Sequence, residues 1–403
     1  MVSSPVGLQD VSTVLVIVGT RPEAIKVAPI VLAAQQADLG VRLQIVATGQ
    51  HGVIVTDALQ AFGLCADYTL ECSRPTGSLP ELMSVLIAEI GAVVSKVCPE
   101  AVVVQGDTSS ALAGALAGFY AGLPVIHVEA GLSTGTLATP FPEEAHRRLI
   151  SDIASLHLAP TDGAAANLLV RGVDATDVVV TGNTVVDAVL RVTRQAPQPA
   201  LPMVNAILSD HRRLAVVTVH RRESWGEPMA QIARALTTLC EHLPDLHVLV
   251  VRHPTPNSGQ ALADHLTLSS QIECIEPLPY AIFLALLSQA SLVMTDSGGL
   301  QEELPTLGIP TVVLRTETER PEAMLAGLSV LAGTDHDRIV EVALAALASG
   351  PARVAVNPYG DGHAGLRSAQ AIAWWLGRAS RPDDWQVALA PSQSLTAASM
   401  AAP

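Results

Sequence analysis

Thr295-Asp296-Ser297-Gly298-Gly299-Leu300-Gln301-Glu302-Glu303 follows the apolar run Ala290 to Met294. The junction reads as a buried strand that breaks through two glycines into the first turn of a helix. A helix start offers unpaired backbone N–H groups and the positive end of the dipole, and glycines let an anion approach them closely. The stretch therefore predicts a phosphate site cradled by Ser297, Gly298 and Gly299. Glu303, one turn in, can accept hydrogen bonds from a sugar diol such as ribose, and a phosphate beside a diol means a nucleotide. Ser-Gly-Gly is also ordinary turn chemistry, so the reading depends on what accompanies it.

The same arrangement stands near the other end of the chain. Val14 to Val18 is a continuous apolar run rich in β-branched residues, and Gly19-Thr20-Arg21-Pro22-Glu23-Ala24-Ile25-Lys26 follows it directly. Pro22 falls where a first helical turn tolerates proline. This is a second strand, turn and helix start, now with two cations. Lysine occurs only at Lys26 and Lys96, and arginine serves everywhere else. A surface cation with no task would have been arginine too, so Lys26 is a candidate partner for a phosphate or carboxylate.

Strand-like and helix-like patterns alternate along nearly all 403 residues. Val41 to Ala47, Ala101 to Gln105, Pro124 to Val128, Leu156 to Leu158 and Val178 to Val180 read as strands, with helical stretches such as Leu79 to Lys96 and Glu143 to Ala154 between them. That alternation predicts an α/β, doubly wound sheet. The proline-rich stretch Arg194 to Pro202 interrupts it, and a fresh series starts at Leu214 to Val219, His247 to Val251, Ile272 to Ile275, Leu292 to Met294 and Thr311 to Leu314. We expect two Rossmann-like domains, residues 1–195 and 203–378. Helical patterns continue through Asp335 to Ala348 and Ala364 to Leu376, the last of which can pack back on the first domain. Residues 388–403 read as a disordered tail.

Hydrophobic residues make up 49% of the chain and aromatic ones only 3%. An apolar volume of alanine, valine and leucine suits parallel sheets under closely packed helices. The net charge of −15 argues against a nucleic-acid partner, but a local cluster of cations can still bind an anionic ligand. Cys65, Cys72, Cys98, Cys240 and Cys274 show no metal-type spacing and no secreted disulfide framework, which points to the cytoplasm. The run Val11 to Val18 passes straight into a Gly-Thr-Arg-Pro turn, so it reads as a core strand and not an export signal. No segment has the apolar length of a membrane span.

Open sheets bind ligands beyond the carboxyl ends of their strands. Four polar clusters sit at such places: Gln105 to Ser110, His127 to Gly131, Pro142 to Arg148 and Val219 to Ser224. Each also has a plain structural reading. Asp107 can be an N-cap, Glu143 and Glu144 favourable first-turn acids, and His220 a satisfied histidine at a strand end. All four converging on one cleft is what makes them candidates for chemistry.

Taken in order, GTRPEAIK, QGDTSSALAG, HVEAG, PEEAHRR, TGNTVVDA, HRRES, TDSGGLQEE, TERPEA and NPYGDG make the chain, over roughly residues 12 to 378, resemble the non-hydrolysing UDP-N-acetylglucosamine 2-epimerases. The resemblance implies a GT-B arrangement of two domains facing across a cleft, no redox cofactor, no catalytic metal, and a homodimer. It implies UDP-GlcNAc or a related nucleotide sugar as ligand, with neither a nucleic acid nor a membrane as partner. Asp107, Glu129 and Glu143 would be the acid/base and cation-stabilising carboxylates, with His220 beside the departing phosphate. Arg21, Lys26, Phe283, Ser297, Gly298, Gly299, Glu303 and Arg320 would bind the nucleotide sugar.

The implied chemistry accounts for the acids. The C2 hydrogen of a GlcNAc unit has no neighbouring carbonyl, so the C1–O bond to UDP must break first or concertedly. Loss of the C2 proton gives 2-acetamidoglucal, and return of proton and UDP inverts C2. Cations and N–H groups hold the leaving diphosphate while carboxylates move protons. The chain departs from the family pattern at Ser133 and Thr136, where Arg and Asp are usual, at Gly52, where Arg is common, and at Leu278, often Gln. The first change leaves a related sugar open as substrate, and the second weakens the expectation of allosteric activation by a second UDP-GlcNAc that the resemblance would otherwise carry. A hydrolysing epimerase, a GT-B glycosyltransferase and an inactive nucleotide-sugar sensor are the competing readings.

Overall fold

The computed structural model describes residues 11–138, 140–195, 202–221, 224–252, 262, 264–266, 269–350 and 356–387. The tail 388–403, residues 196–201 of the proline-rich break, and Arg222 and Glu223 lie outside the described residues.

Two parallel sheets carry the chain. The first has β1 (Ser12–Val18), β2 (Val41–Ala47), β3 (Tyr68–Thr69), β4 (Ala101–Gln105), β5 (Val125–Val128), β6 (Leu156–Ala159) and β7 (Val178–Val180), in the spatial order β3-β2-β1-β4-β5-β6-β7. The second has β8 (Arg213–Thr218), β9 (Leu246–Val251), β10 (Ile272–Ile275), β11 (Leu292–Thr295), β12 (Thr311–Val313) and β13 (Ser329–Leu331), in the order β10-β9-β8-β11-β12-β13. Helices alternate with the strands throughout. This is the α/β, doubly wound, GT-B type of architecture that the alternation and the resemblance imply.

The strands form where they do because Val, Ile and Leu fill them on both faces, and only helices on both sides of a sheet can hide such runs. Val14, Leu15, Val16, Ile17 and Val18 are all fully buried, and Val14 to Ile17 pair in register with Ala101 to Val104. Strand order reverses between β1 and β4 in the first sheet and between β8 and β11 in the second. At such a reversal the connecting helices leave to opposite faces and open a crevice at the carboxyl ends. The four loops that line these two crevices start at Gly19, Gly106, Val219 and Asp296.

The two short edge strands β3 and β13 were not expected from the sequence. With two and three residues they carry no readable periodicity, and pairing with β2 and β12 defines them.

The two sheet units share an apolar core that includes Ile30 and Val189 from the first with Leu284 and Leu300 from the second. Helix Thr184–Gln195 packs against helices Tyr280–Leu287 and Gly298–Leu307. Helix Ala364–Trp375 lies against helix Arg21–Gln36. There a Cβ on Gly365 would stand 2.8 Å from the backbone of Pro29, and the Gly365 N–H donates to Asp187 at 2.8 Å. These contacts set helix Gly298–Leu307 beside the first unit, which positions the site. No helix among the described residues is long and apolar enough to cross a membrane.

Candidate active site

The β1 loop is built to leave room. A Cβ on Gly19 would sit 1.9 Å from Ser110 Oγ and 2.6 Å from Thr48 Oγ1, so only glycine lets β1 turn this close to the β4 loop. Glu23 caps the helix that follows, accepting from the N–H groups of Gly19 at 2.9 Å and Thr20 at 2.6 Å. Thr108 Oγ1 donates to its other oxygen at 2.6 Å, tying the β1 and β4 loops together. Burial pushes the Glu23 carboxyl up to about 7 against the pull of these hydrogen bonds. Arg21 stands half-buried at the first helical position, and Lys26 is buried one turn further in.

Lys26 is the hinge of a charge cluster drawn from both units. Its ammonium contacts Glu129, which follows β5, and lies 2.7 Å from Glu302 on helix Gly298–Leu307. Glu302 in turn accepts from Arg320 Nε at 2.6 Å. Arg320 Nη2 comes to 4.0 Å from Glu129 and Nη1 pairs with Glu319. Gln105, at the end of β4, donates to Glu129. Glu129 holds a φ of 64°, a left-handed conformation that costs a residue with a Cβ on the order of 1–3 kcal/mol and marks an imposed side-chain position. Burial and then the charge of Glu302 push its carboxyl above the ordinary range, against the pull of Lys26 and Arg320. Burial acts on Glu302 too, but Arg320 and Lys26 outweigh it and hold that carboxyl below its usual value.

Asp107 is fixed next to this cluster. Gly106, at φ 68°, turns the chain after β4. His127 Nε2 donates to Gly106 O and His146 Nδ1 to Asp107 O, each at 2.8 Å. Arg147 Nε donates to the Asp107 carboxylate at 2.6 Å. Arg147 also feels the charges of Arg320 and Glu319 from the other unit. Glu143 begins the helix that carries Arg147, one turn earlier on the same face. Its carboxylate is half-buried and has no ion pair or hydrogen bond among the described residues.

Ser133, where the resemblance implies arginine, is taken up by the fold. Its hydroxyl donates to Glu144 at 2.7 Å, beside Thr134 N–H, Arg147 and Arg148, so four donors hold one buried carboxylate. Thr136 is exposed.

Across the cleft Asp296, fully buried after β11, organises the β8 loop. It accepts from the N–H of His220 at 3.0 Å, the N–H of Arg221 at 2.9 Å and Ser224 Oγ at 3.2 Å. His220 Nδ1 lies 3.0 Å from the same carboxylate. That contact orients the imidazole with Nε2 away from Asp296. Burial would raise Asp296, but His220 and these N–H groups outweigh it and keep it below the usual range.

Ser297 caps the helix from Gly298 with an extended φ of −73°. A Cβ on Gly298 would meet Arg320 Nη1 at 2.8 Å and Arg221 Nη2 at 3.3 Å, whereas one on Gly299 would meet nothing within 4 Å. The helix start is thus flanked by two guanidiniums on one side and open on the other, which suits an anion. Burial pushes Glu303 up to about 7, with Arg21 from the other unit pulling it down.

Of the residues named from sequence, Lys26, Glu129 and Arg320 meet directly, and Asp107 stands beside them through Arg147. His220, Ser297, Gly298 and Gly299 surround the open helix start, and the charge of Arg21 lowers the Glu303 carboxyl. Glu143 stays apart from these contacts. The Phe283 ring lies in the core shared by the two units, 6% exposed. Sequence reasoning missed Arg147, Arg221, Asp296, Glu302 and Glu319. Arg147 could have been found from its i, i+4 spacing to Glu143, and Asp296 from its place between a strand end and Ser-Gly-Gly. Nothing local distinguishes Glu302 from Glu303. Among the described residues no three His, Cys, Asp or Glu side chains are arranged to hold a metal ion.

Two open parallel sheets whose loops bring cations, carboxylates and an open helix start to one cleft define a nucleotide-sugar enzyme of GT-B architecture. The family model described as UDP-N-acetylglucosamine 2-epimerase matches residues 33–373. A Ralstonia nicotianae protein named "Probable UDP-N-acetylglucosamine 2-epimerase" is 43% identical over 89% of this chain and 98% of its own. The UDP-N-acetylglucosamine 2-epimerase of Yersinia pestis is 39% identical over the same shares. The crystal structure of UDP-GlcNAc 2-epimerase from Neisseria meningitidis bound to UDP-GlcNAc superposes with a TM-score of 0.82 at 34% identity, covering 91% of this chain and all of that one. The chain belongs to the UDP-N-acetylglucosamine 2-epimerase family, and is an isomerase of that family.

Proposed function

We propose that the protein interconverts UDP-N-acetylglucosamine and UDP-N-acetylmannosamine without hydrolysis. The observation that carries the proposal is the meeting, in one buried cluster, of Lys26 and Glu129 from the first unit with Glu302 and Arg320 from the second, beside the open helix start at Gly298. In the proposed reaction the C1–O bond breaks with its electron pair going to the β-phosphate oxygen of UDP. The C2 proton passes to a carboxylate, leaving a C1–C2 double bond in 2-acetamidoglucal. Reversal with the proton delivered to the opposite face of C2, and UDP returned to C1, gives the epimer.

Each step would draw on a group near the cleft. Lys26, Arg320, His220 and the N–H groups at Ser297, Gly298 and Gly299 would take up charge on the leaving diphosphate. Arg21 and Glu303 would hold the nucleoside, Glu303 accepting from the ribose diol. Phe283, on helix Tyr280–Leu287, would contribute from the apolar core that backs the site. Asp107, Glu129 and Glu143 would move the proton and stabilise positive character at C1. The raised carboxyl of Glu129 supports an acid/base role, because a group titrating nearer neutrality exchanges protons more readily. We also propose a division into units at about residues 195–203, a cytoplasmic location, which the five free cysteines support, and a homodimer. The exposed Phe119 and Tyr120 are available for such a contact.

Proton NMR of UDP-GlcNAc with the protein in D2O tests the reaction. Deuterium at C2 together with intact UDP-ManNAc is the expected result. Free ManNAc would instead indicate the hydrolysing reaction, and no exchange would overturn the proposal for this substrate.

A further inference from the structure

Four charges alternate around a closed ring at the seam between the two units: Lys26, Glu302, Arg320 and Glu129. Lys26 and Glu129 come from the first unit, Glu302 and Arg320 from the second. We infer that Glu302 is the positioning residue of the site, its one carboxylate fixing a cation from each unit so that Lys26 and Arg320 stand ready together for the diphosphate. The inference rests on the proposed function for the identity of the ligand.

Three features support the role. Glu302 is 1% exposed, so solvent cannot substitute for its charge. Its two oxygens are divided between the units: Oε1 accepts from Arg320 Nε at 2.6 Å, and Oε2 lies 2.7 Å from Lys26 Nζ. Both cations act on Glu302 through its charge, and a neutral amide would lose that attraction to each. Glu302 also stands on the helix that begins at Gly298, one turn after the open N–H groups. A single rigid element thus sets both the anion cradle and the cations that complete it.

Glu302 itself need not touch the substrate. It competes with an incoming diphosphate for the same two cations, so its charge weakens anion binding slightly while keeping the cations in place. A merely structural residue would have no such effect. Removing the charge leaves the ring with one excess positive charge and Lys26 free to pair with Glu129 alone. Misplacing a catalytic group by about 1 Å costs on the order of 100-fold in rate.

The test compares wild type with Glu302→Gln and Glu302→Asp. UDP affinity is read by calorimetry, and turnover of UDP-GlcNAc by C2 deuterium exchange. Glu302→Gln is expected to bind UDP as tightly as wild type or more tightly, while kcat falls about 100-fold with KM unchanged or lower. Glu302→Asp, which keeps the charge but can reach only one cation, is expected to recover part of kcat. Wild-type kcat in Glu302→Gln overturns the inference, and so does a tenfold or greater loss of UDP affinity accompanying the loss of kcat. If Glu302→Gln does not fold, Glu302→Asp decides by the same split of kcat from UDP affinity. If wild type shows no C2 exchange, the proposed function fails, and the UDP titrations then decide alone: tighter binding in Glu302→Gln supports the positioning role, and equal or weaker binding overturns it.

Discussion

Replacing Gly298 by alanine separates packing at the helix start from packing of the fold. The added Cβ would lie 2.8 Å from Arg320 Nη1, 2.9 Å from its Cζ and 3.3 Å from Arg221 Nη2. Neither guanidinium is free to swing away. Arg320 is held by Glu302 at 2.6 Å and by Glu319, and Arg221 Nε donates to Asp296 O at 2.9 Å. Relief of the contact therefore needs a displacement of about 0.5 Å, close to the tolerance of a working site. The stability terms oppose one another. Alanine in a helix is worth about 1 kcal/mol over glycine, and overpacking costs about 1–3 kcal/mol, so the net change is small. We predict that Gly298→Ala binds UDP about 10- to 100-fold more weakly, with a thermal midpoint within a few degrees of wild type. Calorimetry with UDP and a melting curve measure the two. Gly299→Ala is the control: its Cβ meets nothing in the ligand-free protein, so it should raise the midpoint while intruding on the anion. Wild-type UDP affinity in Gly298→Ala would refute the reasoning, because the two arginines would then not be part of the anion site.

Asp107→Asn keeps a hydrogen-bond acceptor for Arg147 but removes the charge, so UDP should still bind while C2 exchange drops at least about 1,000-fold, on the scale of acid–base contributions. Near-normal exchange would take Asp107 out of the mechanism. Lys26→Met leaves Glu129 and Glu302 buried without the cation between them and should cost about 3–5 kcal/mol in urea unfolding; a loss under about 1 kcal/mol would mean that water enters the ring. His157 is 2% exposed and burial pushes its imidazole down to about 4. The unfolded chain therefore takes up a proton near pH 6.5 that the folded protein refuses, and stability present above pH 6.5 is lost as pH falls toward 4. Between pH 7 and 4.5 this group alone contributes a loss of about 2–3 kcal/mol. His157→Gln should show a shallower fall than wild type by that amount in urea midpoints, and parallel curves would contradict the assignment.

Much of the fold was legible because its signals are local. Apolar runs long enough for one strand, separated by helix-period stretches, announce parallel sheets covered on both faces, and β1, β4, β8 and β11 all fall within a residue or so of their expected places. Glycine followed by a helix start is equally local, which is why Gly19, Ser297, Gly298 and Gly299 could be read as ligand loops. The edge strands β3 and β13 could not, since a two- or three-residue strand exists only through its neighbour.

The site divides in the same way. Residue types and loop positions singled out Lys26, Asp107 and His220 in the sequence, and the resemblance in motifs added Glu129 and Arg320. Their pairing was decided by tertiary structure: Lys26 meets Glu302 from 276 positions away only because helix Gly298–Leu307 packs beside the first unit. Glu302 and Glu303 are adjacent and chemically identical in sequence. Helical geometry turns neighbouring residues about 100° apart, so the first closes the charge ring and the second is left outside it, under the charge of Arg21. Periodicity and motif determined which loops are the candidates for chemistry, and packing between distant elements determined which charge answers which, because an ion pair depends on separation in space and not along the chain.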